Sequence, residues 1–226
     1  MLIRDWMAKD ILTIDENTSV MRATRIMKEK NVRRLPVLSH GKLTGMITDR
    51  DLKDASPSKS TSLDIHEMYY LLSEMKVSEM MTPSPICLQD TDSLEKAAVV
   101  MLMNRISGLP IVGESGQLVG LISETDILQA FIDSTGIQDG TVLYTFDLPD
   151  APGSVTKLVD TMRQFPLRVR SILSSFEQAK EGIKRVSIRV SVDEDKIDEL
   201  TKTLSDSYGY DMVFFAKDEL SNLPRK

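Results

Sequence analysis

The sequence predicts an α+β protein in which a strand–helix–hairpin–helix unit occurs twice and is followed by a β-α-β-β-α-β domain. Two observations support the first part: residues recur at an offset of about 74, and both copies show the same order of apolar patterns. A third is that long alternating strands follow beyond residue 140. We therefore divide the chain into residues 1–56, 57–76, 77–135 and 140–226.

The internal repeat is visible residue by residue. At an offset of 74, Met7, Ser19, Ala23, Met27 and Leu35-Pro36 fall on Met81, Ser93, Ala97, Met101 and Leu109-Pro110. After one extra residue near Ser115, Gly41, Gly45, Ile47 and Asp51 fall on Gly116, Gly120, Ile122 and Asp126. Because these matches occur in the same order in both halves, they indicate a duplicated structural unit.

The first copy predicts a strand over residues 11–14 and a helix that begins near Val20, capped by one of residues 17–19. Val20, Ala23 and Met27 form the buried face of this helix. Two strands, over residues 35–38 and 43–48, meet at a turn at residues 40–41, and a second helix follows Thr48. The second copy predicts the same elements.

Between the copies, the polar residues 56–62 predict a connection, after which Ser62 can cap a helix that carries Tyr69 and Leu72 on its packing face. Beyond residue 140, Val142, Tyr144 and Phe146 alternate with polar or smaller neighbours, as do residues 186–192. Two amphipathic helices and two further strands complete the order β-α-β-β-α-β, which is the ferredoxin-like arrangement.

Composition excludes several classes of protein. No apolar run reaches the roughly 18 residues of a membrane-spanning helix, and the charged N-terminus lacks the apolar core of a signal peptide, so we expect a soluble cytoplasmic protein without membrane contact. The net charge of −6 argues against nucleic-acid binding. Cys87 is interpreted as a core residue, and His40 and His66 lack metal-ligand spacing, so no metal site is predicted.

Two short motifs carry the predicted chemistry: the segment from Gly45 to Asp51 and its counterpart from Gly120 to Asp126. A carboxylate such as that of Asp51 can accept hydrogen bonds from both hydroxyls of a ribose, and Thr48 lies where a helix N-terminus can meet a phosphate. The alternative is structural, because a hydroxyl residue followed three positions later by an acid is typical of a capping box.

Arg33 and Arg34 precede a strand of the first copy and can grip phosphate oxygens, although they can equally form a solvated basic edge. Their counterparts are Ser107 and Gly108. Residues 1–56 carry a net charge of +3, whereas residues 57–135 carry −7. We therefore predict unequal sites, in which the first copy binds phosphate and the second, with Ser123 and Asp126, takes a neutral or cationic adenosyl ligand or none.

These motifs, together with residues 34–37, resemble a pair of cystathionine beta-synthase (CBS) domains, which form a Bateman module. The resemblance covers roughly residues 1–135. It implies an adenine nucleotide or adenosyl ligand in the cleft between the copies: AMP, ADP, ATP or S-adenosylmethionine. It also implies that apolar strand residues near Ile11 and Val37 hold the base, and Pro36 completes the predicted site.

Residues 140–226 resemble an ACT domain, whose characteristic strand is followed here by Asp150-Ala151-Pro152-Gly153 and a helix that starts at Ser154. The resemblance implies an amino-acid site at Asp150, Pro152, Gly153 and Ser154, at a subunit interface. The alternative is a turn needed only for folding or dimerisation. A CBS pair followed by an ACT domain resembles the acetoin utilization protein B family.

Together these patterns predict a regulatory ligand sensor. No arrangement of residues typical of a catalytic centre stands out, so we expect no enzyme activity and no catalytic residues. The sensor is expected to form a homodimer through the ACT-like domain and to act on an unidentified enzyme or protein. The alternative is an assembly protein whose domains serve only as oligomerisation surfaces, with empty pockets.

Overall fold

The computed structural model describes residues 1–54, 64–177, 179–207 and 210–223. The predicted polar connection at residues 56–62 and the cap at Ser62 lie outside the described residues. The chain forms two compact units, residues 1–128 and 129–226. The predicted mixture of helices and strands in the two copies is confirmed.

The first copy has the predicted order of elements. They are β1 (Ile14–Asp15), α1 (Val20–Lys30), β2 (Arg34–Ser39), β3 (Lys42–Thr48) and α2 (Asp49–Asp54). Ser19 caps α1 by accepting a hydrogen bond from the Arg22 amide at 3.3 Å. The predicted strand at residues 11–14 is wrong in its extent, because only Ile14 and Asp15 pair with β2, in parallel.

The second copy follows a helix that joins the two. The joining helix is α3 (Ile65–Glu74), and the second copy comprises β4 (Thr82–Pro83), β5 (Leu88–Gln89), α4 (Leu94–Asn104), β6 (Gly108–Val112), β7 (Leu118–Ser123) and α5 (Glu124–Thr135). Leu94, Ala97 and Met101 on α4 are buried, as are Val20, Ala23 and Met27 on α1. Burial of the same helix face in both copies explains why the apolar pattern repeats.

The two copies exchange their leading segments. Met46 of β3 pairs with Thr82 of β4, and the equivalent residues Ala8 and Leu121 form a bridge between the start of the first copy and β7. A hairpin of each copy therefore receives a short strand from the segment that precedes the other copy. This reciprocal pairing relates the copies by an approximate two-fold axis.

Gly45 and Gly120 each lie against a methionine of the other copy's leading segment. A Cβ on Gly45 would lie 2.8 Å from Met81 Cγ, and a Cβ on Gly120 would lie 2.9 Å from Met7 Cγ. Met7 and Met81 are equivalent positions, so each methionine packs on the glycine of the other copy. The glycines in the motifs are thus explained by close packing.

We expect Gly45→Ala to lower the free energy of unfolding of the first unit by about 1–3 kcal/mol, because the added methyl group overpacks a filled contact. Fluorescence of Trp6, the only tryptophan, reports unfolding of this unit in urea. In a Met81→Ala background the same substitution should cost much less. An equal cost in both backgrounds would show that the clash with Met81 is not the cause.

The second unit contains a four-stranded antiparallel sheet. Its elements are β8 (Thr141–Pro149), α6 (Ser154–Met162), β9 (Leu167–Ser175), β10 (Ile183–Val192), α7 (Ile197–Lys202) and β11 (Asp211–Lys217). The strand order is β11-β8-β10-β9, and each neighbouring pair is antiparallel. The predicted order β-α-β-β-α-β is therefore observed.

Alternation along the central strands builds the core of this unit. Tyr144 and Phe146 on β8, Val186 and Ile188 on β10, and Leu158 on α6 are fully buried. On the opposite face of the sheet, Arg185 donates two hydrogen bonds of 2.8 Å to the carboxylate of Asp147. This hydrogen bonding lowers the pKa of Asp147.

Candidate functional site

The hydroxyl residue and the aspartate of each motif are joined at the start of a helix. Asp51 Oδ2 accepts hydrogen bonds from the Thr48 amide at 2.8 Å and from Thr48 Oγ1 at 2.7 Å. Asp126 Oδ2 accepts the same two bonds from Ser123, at 2.8 and 2.6 Å. The capping interpretation is therefore realised in both copies.

Capping leaves part of each carboxylate available. The bonds from Thr48 both end at Oδ2 of Asp51, and Oδ1 takes part in neither. Thr48 and Asp51 are only half-buried, so a ligand in the adjoining cavity can reach them. The Asp51 side chain can therefore cap the helix and contact a ribose at the same time.

A cavity of about 800 Å³ lies beside Thr48 and Asp51, a volume within the range of small-molecule sites. Residues 48–51 and 53 form one side and residues 105–107 of the second copy form another. Five basic and three acidic side chains line it: Arg33, Arg34, Arg50, Lys53 and Arg105, with Asp49, Asp51 and Glu124. The cavity thus has an excess of positive charge that suits an anion.

The basic residues differ in how they are engaged. Lys53 pairs with Asp49 at 3.0 Å, and this bond lowers the pKa of Asp49. Arg33, Arg50 and Arg105 have no carboxylate within ion-pair distance among the described residues. These three guanidinium groups are therefore available to a ligand.

Arg105 stands in a special backbone conformation. It ends α4 with φ of +55°, in the left-handed region, and its equivalent in the first copy is Asn31, with φ of +51°. Asn adopts this conformation more readily than Arg. Arg105 is not among the site residues predicted from the sequence. The sequence does contain a signal, because the equivalent position in the first copy is an asparagine, Asn31, and not an arginine.

A second cavity of about 400 Å³ lies beside Ser123 and Asp126. It is lined by residues 121–123, 125 and 126 of the second motif, by residues 31–34 of the first copy, and by Ala8. Each motif therefore faces the loop that precedes a strand of the other copy. Arg33 and Arg34 line both cavities, which differs from the expectation that they serve the first motif.

The side chain of Arg34 crosses the approximate two-fold axis and contacts residues 107 and 108 of the second copy, where Gly108 is the position equivalent to Arg34. Its Nη2 donates to Ser107 Oγ at 3.0 Å and its Nη1 donates to the Ser107 carbonyl. A Cβ at Gly108, the position equivalent to Arg34, would overlap Nη1. Desolvation lowers the pKa of Arg34, while the carboxylates of Glu124 and Asp126 act in the opposite direction.

Three predicted ligand contacts lie elsewhere. Val37 is fully buried in the core of the first copy, between Ile14 on β1 and Gly45 on β3. Pro36 is buried in the same strand, and Ile11 is half-buried before β1. None of the three lines the two cavities described above. Alternation along β2 turns the Val37 side chain into the hydrophobic core.

In the second unit, Asp150, Pro152 and Gly153 are exposed on the turn before α6, and Gly153 has a φ of +82°. Asp150 pairs with Lys184 at 3.5 Å. Ser154 begins α6, and its Oγ is buried without a hydrogen-bond partner among the described residues. These four residues are neighbours in space because they lie within five consecutive positions of the chain.

Cys87 lies outside the two cavities. Cys87 donates a hydrogen bond to the Pro85 carbonyl at 3.2 Å, and burial raises the pKa of its thiol. Within the part of the chain that the structure describes, no cluster of His, Cys, Asp and Glu has the arrangement of a metal site. In the same residues, no helix is long and apolar enough to cross a bilayer.

Comparison with known proteins identifies the fold of the duplicated region. The model of the CBS domain matches residues 3–58 and 77–133, one match for each copy. The chain belongs to the CBS domain family. The predicted tandem CBS pair, or Bateman module, is confirmed.

Relatives show the same module in different settings. A CBS domain-containing protein of Dictyostelium discoideum is 31% identical over 132 residues, which are 58% of this chain and 91% of that protein. An inosine-5'-monophosphate dehydrogenase of Thermoplasma acidophilum is 31% identical over 137 residues, 60% of this chain and 25% of the enzyme. Several other curated relatives are also longer proteins, of which the chain spans less than half.

Among solved structures, the CBS-pair protein CBSX2 from Arabidopsis thaliana matches with a TM-score of 0.51 and 26% identity. The match covers 61% of this chain and 98% of that chain. A second structure of CBSX2, in complex with AMP, is 30% identical over 58% of this chain and 96% of that chain, with a TM-score of 0.48.

Proposed function

We propose that the CBS pair is a regulatory module that binds an adenosine phosphate in the larger cavity between the two copies. The main observation behind the proposal is that one cavity is lined by Thr48 and Asp51 and also by Arg50 and Arg105. A carboxylate recognises the ribose hydroxyls, whereas the guanidinium groups bind phosphate oxygens. AMP is the first probe, because it is the smallest adenosine phosphate that offers both a ribose diol and a phosphate.

Regulation follows if the ligand changes the packing of the two copies. The cavity is built from elements of both copies, so a ligand that contacts both stabilises one relative arrangement over others. The module carries no proposed catalytic residue. A protein or enzyme that responds to this rearrangement is its proposed partner.

The test is a calorimetric titration with AMP, ADP, ATP, S-adenosylmethionine and adenosine. We expect AMP to bind wild-type protein, and Arg105→Asn to weaken it by about 10- to 100-fold, since one charged hydrogen bond contributes about 1.5–3 kcal/mol. Asn suits the left-handed conformation, as at Asn31, so the variant retains its fold. Adenosine binding should change little.

Arg25→Ala is the matched control, because Arg25 lies on α1 outside both cavities and forms an ion pair with Glu29. It should leave AMP affinity unchanged. Wild-type protein that binds none of these ligands would favour the assembly alternative. AMP binding that is unaffected by Arg105→Asn would contradict a phosphate contact at Arg105.

We also propose that residues 140–226 form an ACT-type domain used for dimerisation or amino-acid binding. Support comes from the order of its elements and from the Asp150–Gly153 turn that leads into α6. Sedimentation measurements and thermal-shift screening with the standard amino acids test these roles. The cytoplasmic location and the link to acetoin utilization remain predictions.

A further inference from the structure

We propose that Arg34 is shared between the two cavities, so that the CBS pair binds one phosphate-bearing ligand tightly and a second only weakly. This inference rests on the proposed function and adds a coupling between its two sites. It concerns anionic ligands; two uncharged adenosyl ligands should bind without this coupling.

The sharing follows from the position of Arg34. The residue lines both the cavity beside Asp51 and the cavity beside Asp126. Its guanidinium lies against Ser107 and Gly108 of the other copy, at the approximate two-fold axis. The equivalent position in the second copy is Gly108, so the axis holds a single arginine where two symmetric copies would each contribute one.

A guanidinium presents its donors in one planar fork and carries one charge. An anion in the larger cavity that engages this fork reduces the positive potential that the smaller cavity can offer. The smaller cavity has few alternatives, since Arg33 and Arg34 are the basic residues that line it, with Asp126 opposing them. Arg33 is exposed, so water and salt screen its charge more strongly.

The structure offers a matched pair of variants that isolates each cavity. Thr82 lines only the larger cavity, and its equivalent Ala8 lines only the smaller one. Both residues are exposed. Thr82→Trp and Ala8→Trp should each obstruct one cavity and leave one adenosine site per chain, which titration with adenosine checks. Phe at the same positions provides a second pair if a Trp variant fails to fold.

Calorimetry then measures AMP affinity in the wild type and in both single-cavity variants. For independent sites, the product of the two stepwise association constants in wild-type protein equals the product of the constants from the single-cavity variants. We expect the wild-type product for AMP to be at least about tenfold smaller, whereas the products for adenosine should agree within about twofold.

Substitution of Arg34 distinguishes sharing from simple repulsion between two anions. We call the shortfall of the wild-type product, relative to the product from the single-cavity variants, the deficit. Arg34→Gln in wild-type protein and in both single-cavity variants should remove most of this deficit. Arg34→Lys should leave part of the deficit in place, because lysine keeps the charge. Arg50→Gln, which alters only the larger cavity, should leave the deficit in place. A wild-type AMP product equal to that of the single-cavity variants would overturn the inference alone. Absence of binding by both AMP and adenosine would overturn the proposed function as well.

Discussion

Asp51→Asn is expected to weaken binding of AMP and adenosine at the larger cavity by about 10- to 100-fold. The loss corresponds to the charge-assisted hydrogen bonds between the carboxylate and the ribose hydroxyls, at about 1.5–3 kcal/mol. Inorganic phosphate should bind as well as before or better, because the substitution removes a negative charge from a cationic cavity. This opposite response separates ribose recognition from a general electrostatic effect.

The fold should tolerate this substitution. The amide carbonyl oxygen of the introduced asparagine can accept the bonds that Thr48 now donates to Asp51 Oδ2, so the start of α2 keeps its cap. Urea unfolding followed by Trp6 fluorescence checks the stability of the unit. Asp126→Asn is the matched control, since it changes the other cavity. Equal losses of AMP and phosphate affinity after Asp51→Asn would contradict a ribose contact.

Phe146→Ala is expected to lower the free energy of unfolding of the second unit by about 3–5 kcal/mol, which is the cost of removing a fully buried aromatic ring. The ring centroid of Phe146 lies 6.3 Å from that of Tyr144 and 6.0 Å from that of Tyr210. The substitution therefore leaves a cavity at the centre of the β8 strand. A loss of this size is a large share of a domain's stability.

Phe214→Ala provides the control on the same sheet. Phe214 lies on the outer strand β11 and its side chain is 53% exposed, so we expect a loss below about 1 kcal/mol. Hydrogen exchange of the β8 and β10 amides measures both values within the second unit. A smaller loss for Phe146→Ala than for Phe214→Ala would show that the ring does not anchor this core.

The elements of the two copies could be predicted from the sequence because local patterns determine them. Val20, Ala23 and Met27 recur at helical spacing, and their burial against the hairpin follows from that spacing. The predicted extent of a strand was wrong where the sequence pattern was ambiguous. Residues 11–13 look like a strand, yet pairing with β2 involves only Ile14 and Asp15.

Relations between the copies could not be predicted, since nothing in a local pattern says which hairpin a short strand will join. The exchange of leading segments brings the second motif beside Arg33 and Arg34, although these residues belong to the first copy. For the same reason, residues 105–107 meet the first motif. Arg105 was missed because its role depends on this crossing.

The residues of the motifs themselves could be predicted in part. Thr48 and Asp51 do border the larger cavity, because the strand–helix junction that the glycine, hydroxyl and acid predict is formed. Val37 was assigned from family resemblance, and its side chain lies in the core; a base contact at Val37 stays a prediction. A strand residue can face a ligand or the core, and only the register of β1 with β2 decides between them.

The most direct test of the proposed ligand site is a crystal structure of the protein with AMP. We expect AMP in the larger cavity, with its ribose hydroxyls within hydrogen-bond distance of Asp51 and its phosphate in contact with Arg50 or Arg105. AMP found only beside Asp126, or bound in the larger cavity with its phosphate directed away from these arginines, would contradict the proposed ligand site.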